Sequence, residues 1–320
     1  SLEHLMPFPG VLSSPLDAIG GTPLVELRHV VPAGSARVLV KVEGGNPTGS
    51  YKDRMALAII EGAERRGALR EGIRVVEFTG GSTGSSLAFV CAVKGYPLSL
   101  VSSDAFSPEK LRTMRAFGAD LTVVPSDGGR VTPDLFVRMR EEVDRILARG
   151  HALWTDQFRN TDALTGYATM GREILEQAGT VDAFCAAVGT GGMLHGVATP
   201  LREGGTRIVA LEPASSPALT AGTGGPHTVE GTATGVVPPL LTPGVYDEAL
   251  ALDEPEARRL ALRLAREEGI FAGTSSALNV LGALKVARDL GEGRTVVTVA
   301  CDTGLKYLDG PLFSPTADAP

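Results

Sequence analysis

The sequence predicts an α/β protein of two domains, each with a mostly parallel, twisted sheet flanked by helices. Three observations carry this. Short β-branched runs alternate with amphipathic stretches of helical length, the pattern of βαβ units. The runs CAAV at 185–188 and TVVTVA at 295–300 are apolar without alternation, as strands buried on both faces are. The chain has 320 residues, and a domain takes roughly 150, so the prior is two domains.

In chain order, RVLVKV at 37–42 reads as a strand and 52–69 as a helix with Gly67 near its end. IRVVEF at 73–78 is a strand, 83–94 a helix stopped by Gly95, and 98–101 a strand. A helix at 108–117 opens with Pro108 and takes Ser107 as its N-cap. Residues 121–124 form a strand and 132–148 a long helix with a charged and an apolar face. Beyond it, 161–177, 254–268 and 276–290 read as helices, and 183–188, 207–211 and 295–299 as strands. Three stretches are polar and rich in turn residues: 126–130, 215–235 and 309–320. The first closes one βα series, and a domain change is placed near Gly150. The second is too long for a simple connection and is expected to cover a site. The third, rich in Pro and Ala, is expected to be a frayed terminus.

Composition excludes several partners. The net charge of −7 comes without a Lys/Arg run, which argues against nucleic acid and an anionic membrane surface. No apolar stretch reaches the ~20 residues of a membrane span. Ser1 to Gly10 lacks the charged and apolar regions of a secretory signal. Cys91, Cys185 and Cys301 sit in separate apolar runs, so reduced thiols and a cytoplasmic location are expected. The five histidines are scattered and no cluster has metal-ligand spacing, so no metal is expected.

Glycine is over-used, with 40 residues, and it clusters between strands and helices. These clusters are 43–50 (EGGNPTGS), 79–84 (TGGSTG), 189–192 (GTGG) and 269–276. In an open parallel sheet such junctions lie at the carboxyl edge, where ligands bind. The N–H groups of 189–192, ahead of a helix, can cradle a phosphate, although in isolation a tight βα turn is the first reading of such a motif. It lacks the Walker lysine and the dinucleotide spacing. Lys52 falls in a first helical turn, a poor place for a cation. In a glycine-rich entry its pKa can be depressed, which frees a neutral amine for a Schiff base.

These segments, taken together, resemble the cysteine synthase (O-acetylserine sulfhydrylase) and cystathionine β-synthase family of fold-type II pyridoxal-phosphate enzymes. The resemblance covers about 19–308, through IGGTPLVEL, GNPTGSYKDRMA, TGGSTGSSLA, KGYPLSLV, LRTMRAFGADL, DQFRN, VGTGGMLHGV, EEGIFAGTSSA and CDTGLKYL in family order. It implies a tryptophan synthase β-subunit-like fold. Residues 38–151 would form a smaller substrate-loop domain, and 12–37 with 152–320 a larger cofactor-phosphate domain. Pyridoxal 5′-phosphate is the implied cofactor, and a homodimer acting on a small amino acid the implied molecule. An acyltransferase partner is left open.

The implied roles fall on named positions. Lys52 is similar to the lysine that binds the cofactor as an aldimine and moves the Cα proton. Gly189, Thr190, Gly191, Gly192 and Met193 correspond to the phosphate cup. Met193 stands where the family often has a second threonine, whose hydroxyl it cannot supply. Ser275 corresponds to the partner of the pyridine nitrogen, although Ser275 or Ser276 can equally cap a helix. Thr79, Gly80, Gly81, Thr83, Gln157 and Gly231 fall where the family binds substrate. Ser82 replaces an asparagine at the cofactor's 3′-oxygen, and Gly80 replaces Ser or Asn. Tyr51 is bulky beside the lysine, and EGTATG at 230–235 has fewer glycines than the family loop.

The implied reaction is β-replacement on an activated L-serine such as O-acetyl-L-serine, through an α-aminoacrylate. Sulfide is the default nucleophile, giving L-cysteine. The alternatives are a specialised amine or thiol nucleophile, or a serine/threonine dehydratase-type lyase. Cys301 reads as packing more readily than as a nucleophile, and His195 as a packed residue more readily than as a base. His227 is expected to be exposed. Asp302 either helps a nucleophile or caps the final turn.

Overall fold

The computed structural model describes residues 10–130 and 132–314. The elements are β1 (Leu24–Glu26), β2 (Arg37–Val42), α1 (Lys52–Arg65), β3 (Arg74–Phe78), α2 (Ser82–Lys94), β4 (Leu98–Ser103), α3 (Pro108–Ala116), β5 (Asp120–Val124), α4 (Pro133–Leu147), β6 (Ala152–Trp154), α5 (Asp162–Ala178), β7 (Ala183–Ala187), α6 (Gly192–Glu203), β8 (Arg207–Pro213), β9 (Glu248–Leu252), α7 (Glu254–Arg263), α8 (Thr274–Leu290) and β10 (Thr295–Ala300). They build two sheets. The six-stranded sheet has the order β1-β2-β10-β7-β8-β9 and the four-stranded sheet β5-β4-β3-β6. All pairings are parallel except β1 with β2.

The doubly apolar runs lie where both faces are covered. Every residue of β7 and of β10 is buried. Val296 turns to a core with Leu278, Leu281 and Val286 of α8, and Val297 to the opposite core with Met170 of α5 and Leu194 of α6. The period of two along a strand separates these two cores.

Helix α1 has two working faces. Met55 and Ile59 join the core of the six-stranded sheet, while Ala56, Ile60 and Ala63 join that of the four-stranded sheet, with Val75, Leu87 and Leu100. The helix is therefore a wedge shared by both layers, and its first residue, Lys52, lies between them. Close approach to α5 depends on Gly166, where a Cβ would stand 2.3 Å from Arg54 O. Arg54 fixes the wedge. Its guanidinium meets Glu43 at 2.7 Å and Glu173 of α5 at 2.7 Å, and Lys41 of β2 reaches Glu173 at 2.7 Å. Burial acts to raise Glu173, but Arg54 and Lys41 hold its carboxyl down at about 2.

Several expectations are corrected. Three strands escaped the sequence pattern: β1 and β6 have three residues each, and EALAL in β9 is an edge strand without a β-branched residue. The helix expected at 52–69 stops at Arg65, and Gly67 takes φ +69° in the turn that follows. Ser107 is at the N-cap position of α3, but its hydroxyl bonds Glu109 and Lys306 O instead of capping. The tail begins packed, not frayed. Pro311–Phe313 forms a 3-10 turn, Leu312 is buried, and Phe313 lies 4.6 Å from the Phe271 ring. The rest of that tail, 315–320, and most of the N-terminal stretch read for a signal, 1–9, fall outside the described residues. Strand β2 lies in the six-stranded sheet and β6 in the four-stranded one.

Candidate active site

Four helices, α1, α2, α6 and α8, begin at the carboxyl edges of the two sheets, and none has a side-chain cap hydrogen bond at its start. Helix starts of this kind favour anions, although at α1 the Lys52 N–H already donates to Ser50 Oγ at 3.2 Å and the Asp53 N–H to Ser50 O at 3.3 Å. The glycine-rich segments singled out in the sequence are these four starts.

Lys52 is held by its neighbours' backbone. Tyr51 N–H donates to Cys301 O at 3.0 Å, and Ser50 forms a β-bridge with Asp302 beyond β10. The side chain is 9% exposed, so the amine is nearly dry. Nζ lies 5.0 Å from the Tyr51 ring centre and 5.8 Å from that of Tyr167. Among the described residues no carboxylate pairs with it. Burial lowers its pKa from 10.5 to about 8, which brings the neutral amine within reach near physiological pH. Cys301 sits beside it, its thiol pushed up to about 12 by burial. That thiol accepts from Asn279 Nδ2 at 3.3 Å, so the expectation of a packed thiol holds.

At α8, Gly273 is the N-cap, so neither Ser275 nor Ser276 caps the helix. Ser276 Oγ accepts from Cys301 N–H at 2.8 Å. Ser275, 6% exposed, lies near the Cys301 thiol, which is itself beside Lys52.

The turn from β7 to α6 passes Gly189 to Gly192. Gly191 takes φ +80°, and a Cβ there would meet Leu241 at 2.9 Å. At Gly189 a Cβ would stand 2.3 Å from Gly231 O. The long 215–235 loop thus covers this turn, as expected, and Ala233 N–H ties it down on Val188 O at 2.8 Å. Thr190 Oγ1 accepts from Gly192 N–H at 3.3 Å. The Met193 side chain turns away into the core. His195 is a packed residue, its Nδ1 2.7 Å from Leu240 O. His227 staples its own loop through Ala233 O at 2.8 Å and is half-buried, not exposed. Tyr167 joins this region to Lys52. Its ring is 3.4 Å from a Cβ position at Gly192, and its buried hydroxyl has no partner among the described residues.

Thr79, Gly80, Gly81, Ser82, Thr83 and Gln157 gather at the edge of β3. Thr79 Oγ1 accepts from Gly81 N–H at 3.0 Å, and Thr83 Oγ1 donates to Gln157 Oε1 at 2.7 Å. Gly80 is required because the Phe106 ring lies 2.5 Å from its Cβ position. Behind them stands the fully buried Glu77. It accepts from Thr155 Oγ1 at 2.6 Å, Trp154 Nε1 at 3.1 Å and Gln157 N–H at 3.0 Å. Burial nonetheless raises its pKa to about 7. Thr48, ahead of α1, lies 3.3 Å from Ser86 of α2, which joins this cluster to the Lys52 side. Asp302 caps nothing. It accepts from Tyr307 Oη at 2.7 Å, and Thr303 caps the following turn.

The family model for pyridoxal-phosphate dependent enzymes matches residues 15–302, most of the chain. The chain belongs to the pyridoxal-phosphate dependent enzyme family. A cysteine synthase of Staphylococcus aureus is 41% identical over 92% of this chain and 95% of its own. The crystal structure of O-ureido-L-serine synthase superposes with a TM-score of 0.87 at 37% identity, over 95% of this chain and 96% of that one. A cysteine synthase of Entamoeba histolytica gives 0.88 at 33%, over 96% and 92%.

The residues present fit pyridoxal phosphate. A dry amine of lowered pKa suits its aldehyde, uncapped N–H groups at α6 suit its phosphate, and a buried hydroxyl at Ser275 suits its ring nitrogen. The orphaned Tyr167 hydroxyl marks polar space beside them. The groove lined by Arg28, Val31, Glu292 and Arg294 lies at the opposite, amino edge of the sheet and has none of these groups. Tyr167, Asn279 and Glu77 were not legible as site residues, because each reaches the site only through tertiary contact.

Proposed function

We propose that this pyridoxal-phosphate enzyme performs β-replacement on an activated L-serine such as O-acetyl-L-serine, with sulfide as nucleophile and L-cysteine as product. The observation that carries the reading is Lys52, buried, unpaired among the described residues and facing the uncapped start of α6 across Tyr167. Its likeness to a cysteine synthase at 41% identity supports the same product. Bound pyridoxal phosphate supplies the electron sink that acidifies the substrate's Cα–H.

The chain's own residues do the rest. Lys52 Nζ would hold the cofactor through its aldehyde carbon and, as a free amine, would take the substrate's Cα proton. N–H groups of Gly189 to Met193 and the Thr190 hydroxyl hold the phosphate. Ser275 offers the ring nitrogen a neutral hydrogen bond and not a full counter-charge, which favours loss of the β-group. Ser82, the first residue of α2, would contribute its hydroxyl to holding the cofactor. Thr79, Gly80, Gly81, Thr83 and Gln157 would bind the substrate carboxylate, and Gly231, whose carbonyl packs against Gly189, would border the substrate. The smaller domain, 38–151, carries this substrate loop, and 12–37 with 152–320 carries the phosphate cup. The working molecule is a cytoplasmic homodimer, checked by light scattering of the purified chain.

A second reading keeps the chemistry and changes the nucleophile. It is supported by the 37% identity to O-ureido-L-serine synthase. The test of both is incubation of the chain and Lys52→Ala with O-acetyl-L-serine and a panel of nucleophiles, with products read by mass. Sulfide-dependent cysteine, absent with Lys52→Ala, is expected. Pyruvate alone, whatever the nucleophile, would favour the dehydratase-type alternative and sink the proposal.

A further inference from the structure

Tyr51 puts a bulky ring directly beside Lys52. The residue is half-buried at the start of α1, and its N–H is tied to Cys301 O at 3.0 Å. The ring packs on the core of the six-stranded sheet against Tyr167 of α5, which is fully buried. The two ring centres are 5.5 Å apart and the planes are inclined by 58°. Lys52 Nζ lies over both rings, 5.0 Å from the centre of Tyr51 and 5.8 Å from that of Tyr167. Tyr167 has no room to withdraw, because Gly192 and Gly196 of α6 close on it. Cβ positions there would stand 3.4 Å and 2.6 Å from its side chain.

A cation in this corner has few other partners. Cys301 faces it from the end of β10, and its thiol, pushed up to about 12 by burial, is neutral at physiological pH. Ser275 of α8 brings a neutral hydroxyl near that thiol. The carboxylates of Glu43 and Asp302 lie beyond, where Tyr51 feels them. They are engaged by Arg54 at 2.7 Å and by Tyr307 Oη at 2.7 Å. A desolvated ammonium without a counter-ion is costly. An aromatic face within about 6 Å offsets part of that cost, and more of it where water is excluded.

We propose that Tyr51 and Tyr167 form an aromatic corner that holds the ammonium form of Lys52, so that the lysine keeps the proton it takes from substrate. Both are positioning residues that act through Lys52. The proposal deepens the function proposed above and rests on Lys52 being the base. The direction of the effect separates this role from packing. If the Tyr51 ring only excludes water, its loss wets the amine and returns the pKa toward 10.5. If the ring binds the ammonium, its loss lowers the pKa further.

The test follows acylation of Lys52 by acetic anhydride in the cofactor-free chain as a function of pH, with peptide masses as the readout. It compares the unaltered chain, Tyr51→Phe, Tyr51→Leu and a chain with a trifluorinated phenylalanine in place of Tyr51. Tyr51→Phe should keep the midpoint of the unaltered chain. Tyr51→Leu keeps the corner apolar and should move the midpoint down by about 0.5–1.5 pH units. The fluorinated ring keeps the shape but draws negative charge from the ring face, and it should also move the midpoint down relative to Tyr51→Phe. An unchanged or raised midpoint with the fluorinated ring overturns the proposal, and that comparison decides even if Tyr51→Leu fails to fold. A folded Tyr51→Leu whose midpoint rises toward 10.5 overturns it as well. Borohydride reduction of the unaltered chain loaded with pyridoxal phosphate separates the two levels. Label on Lys52 with midpoints unmoved by the ring overturns this proposal alone, and label on another lysine overturns the function beneath it.

Discussion

Lys52 was readable because a lysine at a glycine-rich helix entry is locally anomalous, and its burial has a measurable cost. Its pKa falls from 10.5 to about 8. Below pH 8 the folded and unfolded chains both carry the ammonium, so the cost is full, on the order of 3 kcal/mol. Between about 8 and 10.5 the folded chain sheds its proton first, and stability is regained as pH rises. Without cofactor, Lys52→Met should therefore melt higher than the unaltered chain at pH 7, by about 2–6 °C. The gap should close as pH rises toward 10, in paired thermal scans. Glu77 is the opposite case, an ordinary glutamate in a strand until its neighbours are known. Glu77→Ala strands the Trp154, Thr155 and Gln157 donors. It should cost about 3 kcal/mol or more in denaturant titrations and raise KM for the amino-acid substrate by misplacing Gln157.

At the scale of elements, the doubly buried strands and the long amphipathic helices were legible because their periodicity is strong. The edge strand β9 was not, because Glu, Ala and Leu favour helix and only pairing with β8 makes the segment extended. Nor was the wedge role of α1, whose anchor is a buried ion cluster drawn from three separate segments. Arg54→Met leaves Glu43 buried without its cation and should destabilise by about 3–5 kcal/mol in chemical denaturation. The start of α6 separates folding from binding. Gly191→Val strains a φ of +80° and strikes Leu241, so fold and cofactor should fail together. Thr190→Val keeps the backbone and removes one hydroxyl. It should weaken pyridoxal phosphate by about tenfold in fluorescence titration, with the melting curve of the cofactor-free chain unchanged.

Across the whole molecule, the mouth of the site is closed by segments far apart in sequence. Loop 215–235 has no Lys or Arg, which by itself favours an uncharged leaving group such as acetate over a phosphate. The structure brings a cation to it from α3. Lys110, 4% exposed, packs beside Gly81 and over the Tyr307 ring, and forms an ion pair with Glu230 of the loop. Glu230 thus occupies the charge a dianionic leaving group would need. Glu230→Gln should raise the kcat/KM ratio for O-phospho-L-serine over O-acetyl-L-serine by about tenfold. An unchanged ratio in steady-state assays would remove Lys110 from the leaving-group end.

The central claim is that pyridoxal phosphate is held on Lys52 between the two sheets. The direct measurement is borohydride reduction of the purified yellow protein, followed by peptide mapping. One pyridoxyl group per chain, on Lys52, is expected. Label on Lys41, Lys94, Lys110 or Lys306 instead, or none on a protein that remains yellow, would contradict it.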